Sequence, residues 1–337
     1  VNKVIPIKLE RAKSPRTTRI VEWRLSNICN FDCSFCPSIF KDGSKRFLDY
    51  EVYTSTIDRL IKNDLTKIVW FQFTGGEPTL YPKLIELLKY IKDRGGYTSM
   101  ISNGSRTIRW WKELADANVL DRLYISHHTE QGAKVEHTIE VNNLMQATNT
   151  LVTVFVTTQA DTSLFNAAVD AHREILKKSA SISSLKPITT DDGACLQPYT
   201  AEQLELIQKN LYARSPLYFR EYIKKQKHIE SIPWYQSSVT LTYSDNSIKT
   251  APSQDFVQRL ETKFKGWECD IGKDLLMIEV DDVLRSMCKQ GGVIANVHDN
   301  NFAWAADSVI CEKAECNCSL DVQEPKRLVN ALLEIIR

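Results

Sequence analysis

Two hydrophobic rhythms alternate along the first two-thirds of the chain. Runs rich in β-branched and aromatic residues at 20–25, 67–74, 98–102, 122–126, 151–158 and 181–186 predict strands. Between them the apolar residues fall at helical spacing. Tyr53, Ile57, Leu60 and Ile61 make one stripe, and Leu84, Leu87, Leu88 and Ile91 make a second. Trp110, Trp111 and Leu114 fit a third helix, and residues 164–176 and 201–211 suggest two more. Pro82 stands where a helix begins, and Gly95-Gly96 where one stops. Six such units in series predict parallel strands joined by right-handed crossovers, as an open doubly wound sheet or a full or partial barrel. Either architecture binds its ligands beyond the carboxyl ends of the strands.

Near residue 231 the alternation breaks into short β-like pieces. The reading divides the chain into an N-terminal extension (1–18), an α/β unit (19–230), a cysteine-rich module (231–324) and a terminal amphipathic helix (325–337). A basic helical run at 218–229 reads as a solvated face. Composition mostly excludes. With 337 residues and a net charge of +1, nothing argues electrostatically for nucleic acid or an anionic membrane. No apolar run approaches the roughly 18 residues of a membrane span, and residues 1–19 lack an apolar export core. A soluble cytoplasmic protein is the expectation.

The nine cysteines change the picture. Cys29, Cys33 and Cys36 share one loop after the first strand, Cys195 stands alone, and Cys269, Cys288, Cys311, Cys316 and Cys318 follow. Clustered thiols in a chain without an export signal read as metal ligands, not disulfides. A structural zinc takes four ligands. The first loop offers three, with no histidine close in sequence. Three thiolates on a four-iron cluster leave one iron open for chemistry.

The loop Cys29-Asn-Phe-Asp-Cys33-Ser-Phe-Cys36 resembles that of the radical S-adenosylmethionine (SAM) enzymes, with Phe35 as the aromatic before the third thiol. Phe73-Thr74-Gly75-Gly76-Glu77-Pro78, ending the second strand, is similar to the family's GGE motif. Ser102-Asn103-Gly104 resembles its turn after strand three. The resemblance covers about residues 19–215 and implies a partial (β/α)6 barrel. It also implies a [4Fe–4S] cluster on Cys29, Cys33 and Cys36, with SAM on the open iron. Reductive cleavage of SAM would yield a 5′-deoxyadenosyl radical that abstracts a substrate hydrogen. Gly75, Gly76 and Glu77 would lie beside the SAM amine, Phe35 beside the adenine, and Asn103 and Ser126 at the cofactor's edge. The fifth strand lacks the family's glycine-rich, acid-ended adenine motif, and Gln159 is the polar substitute there. A flavodoxin- or ferredoxin-type reductant is implied as partner.

The C-terminal thiols resemble the auxiliary-cluster modules known as SPASM and Twitch. Five thiols suffice for one four-iron cluster, so the Twitch-like form is expected. Cys269, Cys288, Cys316 and Cys318 are plausible ligands, and Cys311 can replace any of them. Structural zinc is the rival, as part of a non-catalytic binding protein. Candidate catalytic residues are His127 of the His127-His128 pair, Asp192 of Asp191-Asp192, and Cys195 as a hydrogen donor. The activity expected is oxidation of a small molecule, such as a carbohydrate or aminocyclitol, with an auxiliary [4Fe–4S] cluster taking the electron. Epimerisation, with Cys195 as donor, is the alternative. So is maturation of a peptide delivered by a partner, since about twenty residues before strand one are too few for a leader-binding domain.

Overall fold

The structure, a computed structural model, describes residues 4–12, 18–62, 67–188, 196–218, 238–258, 262–299, 303–316, 318 and 320–329. After β1 (Pro6–Arg11), the chain runs β2 (Thr18–Arg24), α1 (Tyr50–Lys62), β3 (Ile68–Thr74), α2 (Leu84–Lys92), β4 (Tyr97–Ser102), α3 (Ile108–Ala117) and β5 (Arg122–His128). It continues α4 (Val135–Gln146), β6 (Leu151–Thr157), α5 (Thr162–Lys178), β7 (Ile182–Lys186), α6 (Ala201–Lys209) and β8 (Ala213–Arg214). Strands β2 to β7 pair in parallel in sequence order, each followed by a helix. The partial (β/α)6 barrel is there.

The strands work by alternation. Val21, Trp23, Phe71, Phe73, Met100, Leu123, Ile125, Val154 and Val156 face the helices, fully buried in one continuous core. Positions of the opposite parity line the hollow side. Helix signals act as the sequence implies: Thr107 caps α3 by accepting from Trp110 N–H, and Thr200 and Gln203 form a capping box on α6. Gly95 and Gly96 close α2 by donating to Lys92 O and Ile91 O.

The remaining strands are β9 (Ser238–Tyr243), β10 (Ile248–Pro252), β11 (Glu268–Cys269), β12 (Leu275–Glu279), β13 (Asp282–Leu284), β14 (Val293–Asn296), β15 (Val309–Ile310) and β16 (Lys326–Arg327). Two features differ from the sequence reading. The N-terminal extension contains β1, which lies inside a second sheet between β9 and β16. The terminal segment begins as strand β16, not as a helix; residues 330–337 of the expected helix lie outside the described residues. The expected hairpin is present as β12 and β13, and β12 also pairs in parallel with β2, Leu275 beside Ile20 through Glu279 beside Arg24. The cysteine-rich part thus extends the barrel sheet directly. The basic run at 219–229 lies outside the described residues. Among the described residues no helix is long and apolar enough to cross a membrane.

Candidate functional site

The three-cysteine loop leaves the carboxyl end of β2 and is pinned by the neighbouring strand ends. Gly76 N–H donates to Ser26 O and Glu77 N–H to Ile28 O, both at 2.8 Å. Gly75 and Gly76 make this approach possible. A Cβ on Gly76 would stand 2.0 Å from Ile28 O, and one on Gly75, at φ +132°, would stand 2.7 Å from Ser26 O. These glycines serve loop-to-loop packing before any ligand arrives. From β4, Asn103 Nδ2 donates to Asn30 Oδ1 at 3.0 Å, and Asn30 Nδ2 donates to Ser105 Oγ at 2.8 Å. After β5, Glu130 and Gln131 accept from the N–H groups of Ser34 and Asp32, both at 3.1 Å.

Glu77 is almost wholly buried and already well engaged. Its Oε1 accepts from Thr79 N–H (3.0 Å), Thr79 Oγ1 (2.7 Å) and Ser102 Oγ (2.8 Å), and its Oε2 from Asn103 N–H (2.7 Å). Burial nonetheless holds its carboxyl above the usual range. Glu77 thus ties β3 to β4, and Oε2 keeps one acceptor direction. Phe35 packs on His128, ring centroids 5.6 Å apart, with Phe31 edge-on to the same imidazole at 6.1 Å. Ser126 lies half-buried on the hollow face of β5. Gln159 is buried, with no hydrogen-bond partner for Nε2 among the described residues. Among the described residues that amide is a buried donor with its hydrogen bond still to make.

The donor set fits an iron–sulfur cluster. Cys29, Cys33 and Cys36 are free thiols within range of one another's charge, and burial raises all three, Cys33 to about 12. Such thiols ionise when a metal centre supplies positive charge. Among the described residues no three acidic, histidine or cysteine side chains converge at single-ion distance.

A second set of thiols shares one cavity of about 490 Å³, lined by Cys269, Cys288, Cys311, Cys316 and Cys318. Burial pushes Cys269 up to about 11 and Cys316 to about 12, and Cys318 well above its usual value. Gln290 Nε2 donates to Cys311 Sγ at 3.4 Å and Cys288 Sγ at 3.6 Å, while Asp321 accepts from Cys288 N–H at 2.6 Å. Lys326 Nζ, fully enclosed beneath the thiols, donates to Asp321 O (2.7 Å) and Glu324 O (2.8 Å). These five sulfurs again do not converge on a single ion among the described residues.

The hollow holds residues that the sequence reading passed over. Gln72 Nε2 donates to Glu22 Oε2 at 2.9 Å, both side chains being buried. Burial raises the Glu22 carboxyl to about 7, with Asp321 adding to the shift and Arg24, Gln72 and Lys186 opposing it. Lys186, across the hollow on β7, is reached by water yet walled in by protein, which lowers its ammonium below the usual lysine range. Its Nζ lies 4.5 Å from the Phe155 ring centre. The signal was the parity of charged residues inside apolar strands, as in Ile20-Val-Glu22-Trp-Arg24.

Parity also corrects a candidate. His127 points away from the hollow into the helix layer, where Nδ1 pairs with Thr138 Oγ1 at 2.9 Å, and burial lowers it to about 4. His128, one residue on, faces the loop of Cys29, Cys33 and Cys36. Asp192 and Cys195 lie outside the described residues.

With this geometry the comparisons agree. Residues 23–132 match the model of the Radical SAM superfamily. That match implies a [4Fe–4S] cluster and SAM as cofactors, and the donor set of Cys29, Cys33 and Cys36 fits the cluster. The chain is 35% identical over 106 residues to a protein of Thermococcus kodakarensis named a probable GTP 3′,8-cyclase, covering 31% of this chain and 33% of that one. A Pyrococcus furiosus protein, named a tungsten-containing aldehyde ferredoxin oxidoreductase cofactor-modifying protein, is 28% identical over 103 residues, covering 30% and 28%. The chain thus spans about a third of the length of the curated relatives it matches. In fold it is similar to Streptococcus suis SuiB bound to its precursor peptide SuiA, at a TM-score of 0.51 and 14% identity, covering 84% of this chain and 63% of that one.

Proposed function

We propose that the protein is a radical SAM oxidase of a small polar molecule, a carbohydrate or aminocyclitol, with an auxiliary [4Fe–4S] cluster in the C-terminal cavity. The single observation that carries this reading is the gathering of five thiols from distant positions around one cavity at the mouth of the barrel. Cys29, Cys33 and Cys36 would hold the first cluster, Phe35 and His128 would offer a ring surface to the adenine, and Glu77 would serve the methionyl amine as an acceptor. When bound, the cluster and SAM supply one electron and a radical that removes a hydrogen atom from a C–H bond. Glu22 accepts the proton that the substrate radical at a hydroxyl-bearing carbon releases as its electron would pass to the auxiliary cluster, because a carboxyl near 7 can bind and release one at physiological pH. Gln72 fixes the carboxylate, and Lys186 draws a polar or anionic group of the substrate across the hollow. The polarity of this face supports a hydrophilic substrate. The reductant is a flavodoxin- or ferredoxin-type protein, and the setting is the cytoplasm.

The test replaces Cys288, Cys316 and Cys318 together with alanine in anaerobically isolated protein. About half the iron should be lost, while SAM cleavage driven by dithionite persists. Full iron retention, or stoichiometric zinc in the unaltered protein, would overturn the reading.

A further inference from the structure

Arg24 is the last residue of β2, at the point where three strand ends meet. In register it lies beside Thr74 of β3 on one side and Glu279 of β12 on the other. Its carbonyl accepts from Val280 N–H at 2.9 Å, which fixes the backbone to the cysteine-rich part. Gly75 leaves room for the side chain, since a Cβ there would come within 3.1 Å of Arg24 Cγ. The guanidinium lies over the Phe40 ring at 3.7 Å, and Phe40 is on the short turn that follows Cys36. Arg24 and Phe40 together line the cavity of the five C-terminal thiols. The same cation reaches the other centre's loop, because the ring it covers belongs to the turn that directly follows Cys36 and Pro37.

Resting on the reading of the second cavity as a cluster site, we propose that Arg24 is a shared electrostatic wall between the two centres. One fixed cation, held by Phe40, favours the reduced state of each. Reducing a cluster adds one negative charge, and a cation at its edge, in a site of reduced dielectric, stabilises that added charge. Arginine suits the task because it stays protonated and its planar group stacks on a ring. Neither cluster is ligated by Arg24, so its role is positioning of charge. Iron content should not depend on it.

The experiment is an EPR-monitored redox titration of the full chain with both sites reconstituted, comparing the unaltered protein, Arg24→Gln and Arg24→Lys. Arg24→Gln should keep its iron and lower both midpoint potentials, each by on the order of a tenfold change in the reduced-to-oxidised ratio, or about 59 mV for one electron. Arg24→Lys should restore most of both shifts. Should Arg24→Gln lose iron, Phe40→Leu serves in its place, with smaller shifts of the same sign at both centres. Potentials that stay put, or a shift at only one centre, would overturn the shared role. The triple alanine variant of Cys29, Cys33 and Cys36 separates the underlying reading: if it holds no iron, there is no second cluster, and the shared role falls for that reason instead.

Discussion

At the scale of single residues, close approach and burial decide more than chemical identity. Gly76 is the clearest case, since any side chain there meets the Ile28 carbonyl. Gly76→Ala should destabilise the protein by roughly 1–3 kcal/mol and lower its iron content, read from urea midpoints and iron assay. An unchanged midpoint with full iron would show that the two loops need not touch. Glu22 is the second case. Its carboxyl is raised, so it is protonated below about pH 7 and ionised above. Arg24, Lys186, Asp321 and the Cys318 thiol are the titratable and charged groups that face it. Burial raises Glu324 to about 7 as well, so difference infrared spectroscopy should find buried carboxyl intensity that ionises near pH 7 and is reduced, with only the Glu324 part remaining, in Glu22→Gln. A band already ionised at pH 5 would remove Glu22 as the proton acceptor. His127 and His128 show what a one-residue step does in a strand, because adjacent side chains face opposite layers. A dipeptide alone does not say which of the two faces the site. The parity of the flanking apolar residues does.

At the scale of elements, the six barrel strands were legible because their apolar residues alternate or run continuously between clear helical stripes. Helix α4 was harder to see. Its buried face carries Thr138, Asn142 and Gln146, so polar residues interrupt the stripe that would reveal it. Strands β1 and β16 were hidden for another reason. Each is short and mixed in polarity, and each is stabilised by partners hundreds of residues away. The three-cysteine loop and the glycine motif could be read directly, since their spacing is itself the signal. The cavity of five thiols could only be suspected, because which cysteines meet is set by tertiary folding. Strand β12 makes the coupling testable. Ile278 is fully buried in the main core, and β12 lies against β2 along its whole length. Ile278→Ala should cost about 2–5 kcal/mol and lower the unfolding midpoint of barrel and cysteine-rich part together. Two separate transitions would contradict a continuous sheet.

For the whole molecule, the barrel brings two thiol sites and a polar hollow to one end, with Arg24 at their junction. The loop of Cys29, Cys33 and Cys36 is the part on which everything else depends. In the proposed reaction the reactive species arises there, and the hollow and second cavity have a role only if it does. The most direct measurement is 5′-deoxyadenosine release from SAM under anaerobic reduction, comparing the unaltered protein with the triple alanine variant of Cys29, Cys33 and Cys36. The account expects release from the unaltered protein and none from the variant, with about half the iron remaining in it. Release of 5′-deoxyadenosine by the triple variant, or none from the iron-replete unaltered protein, would contradict it.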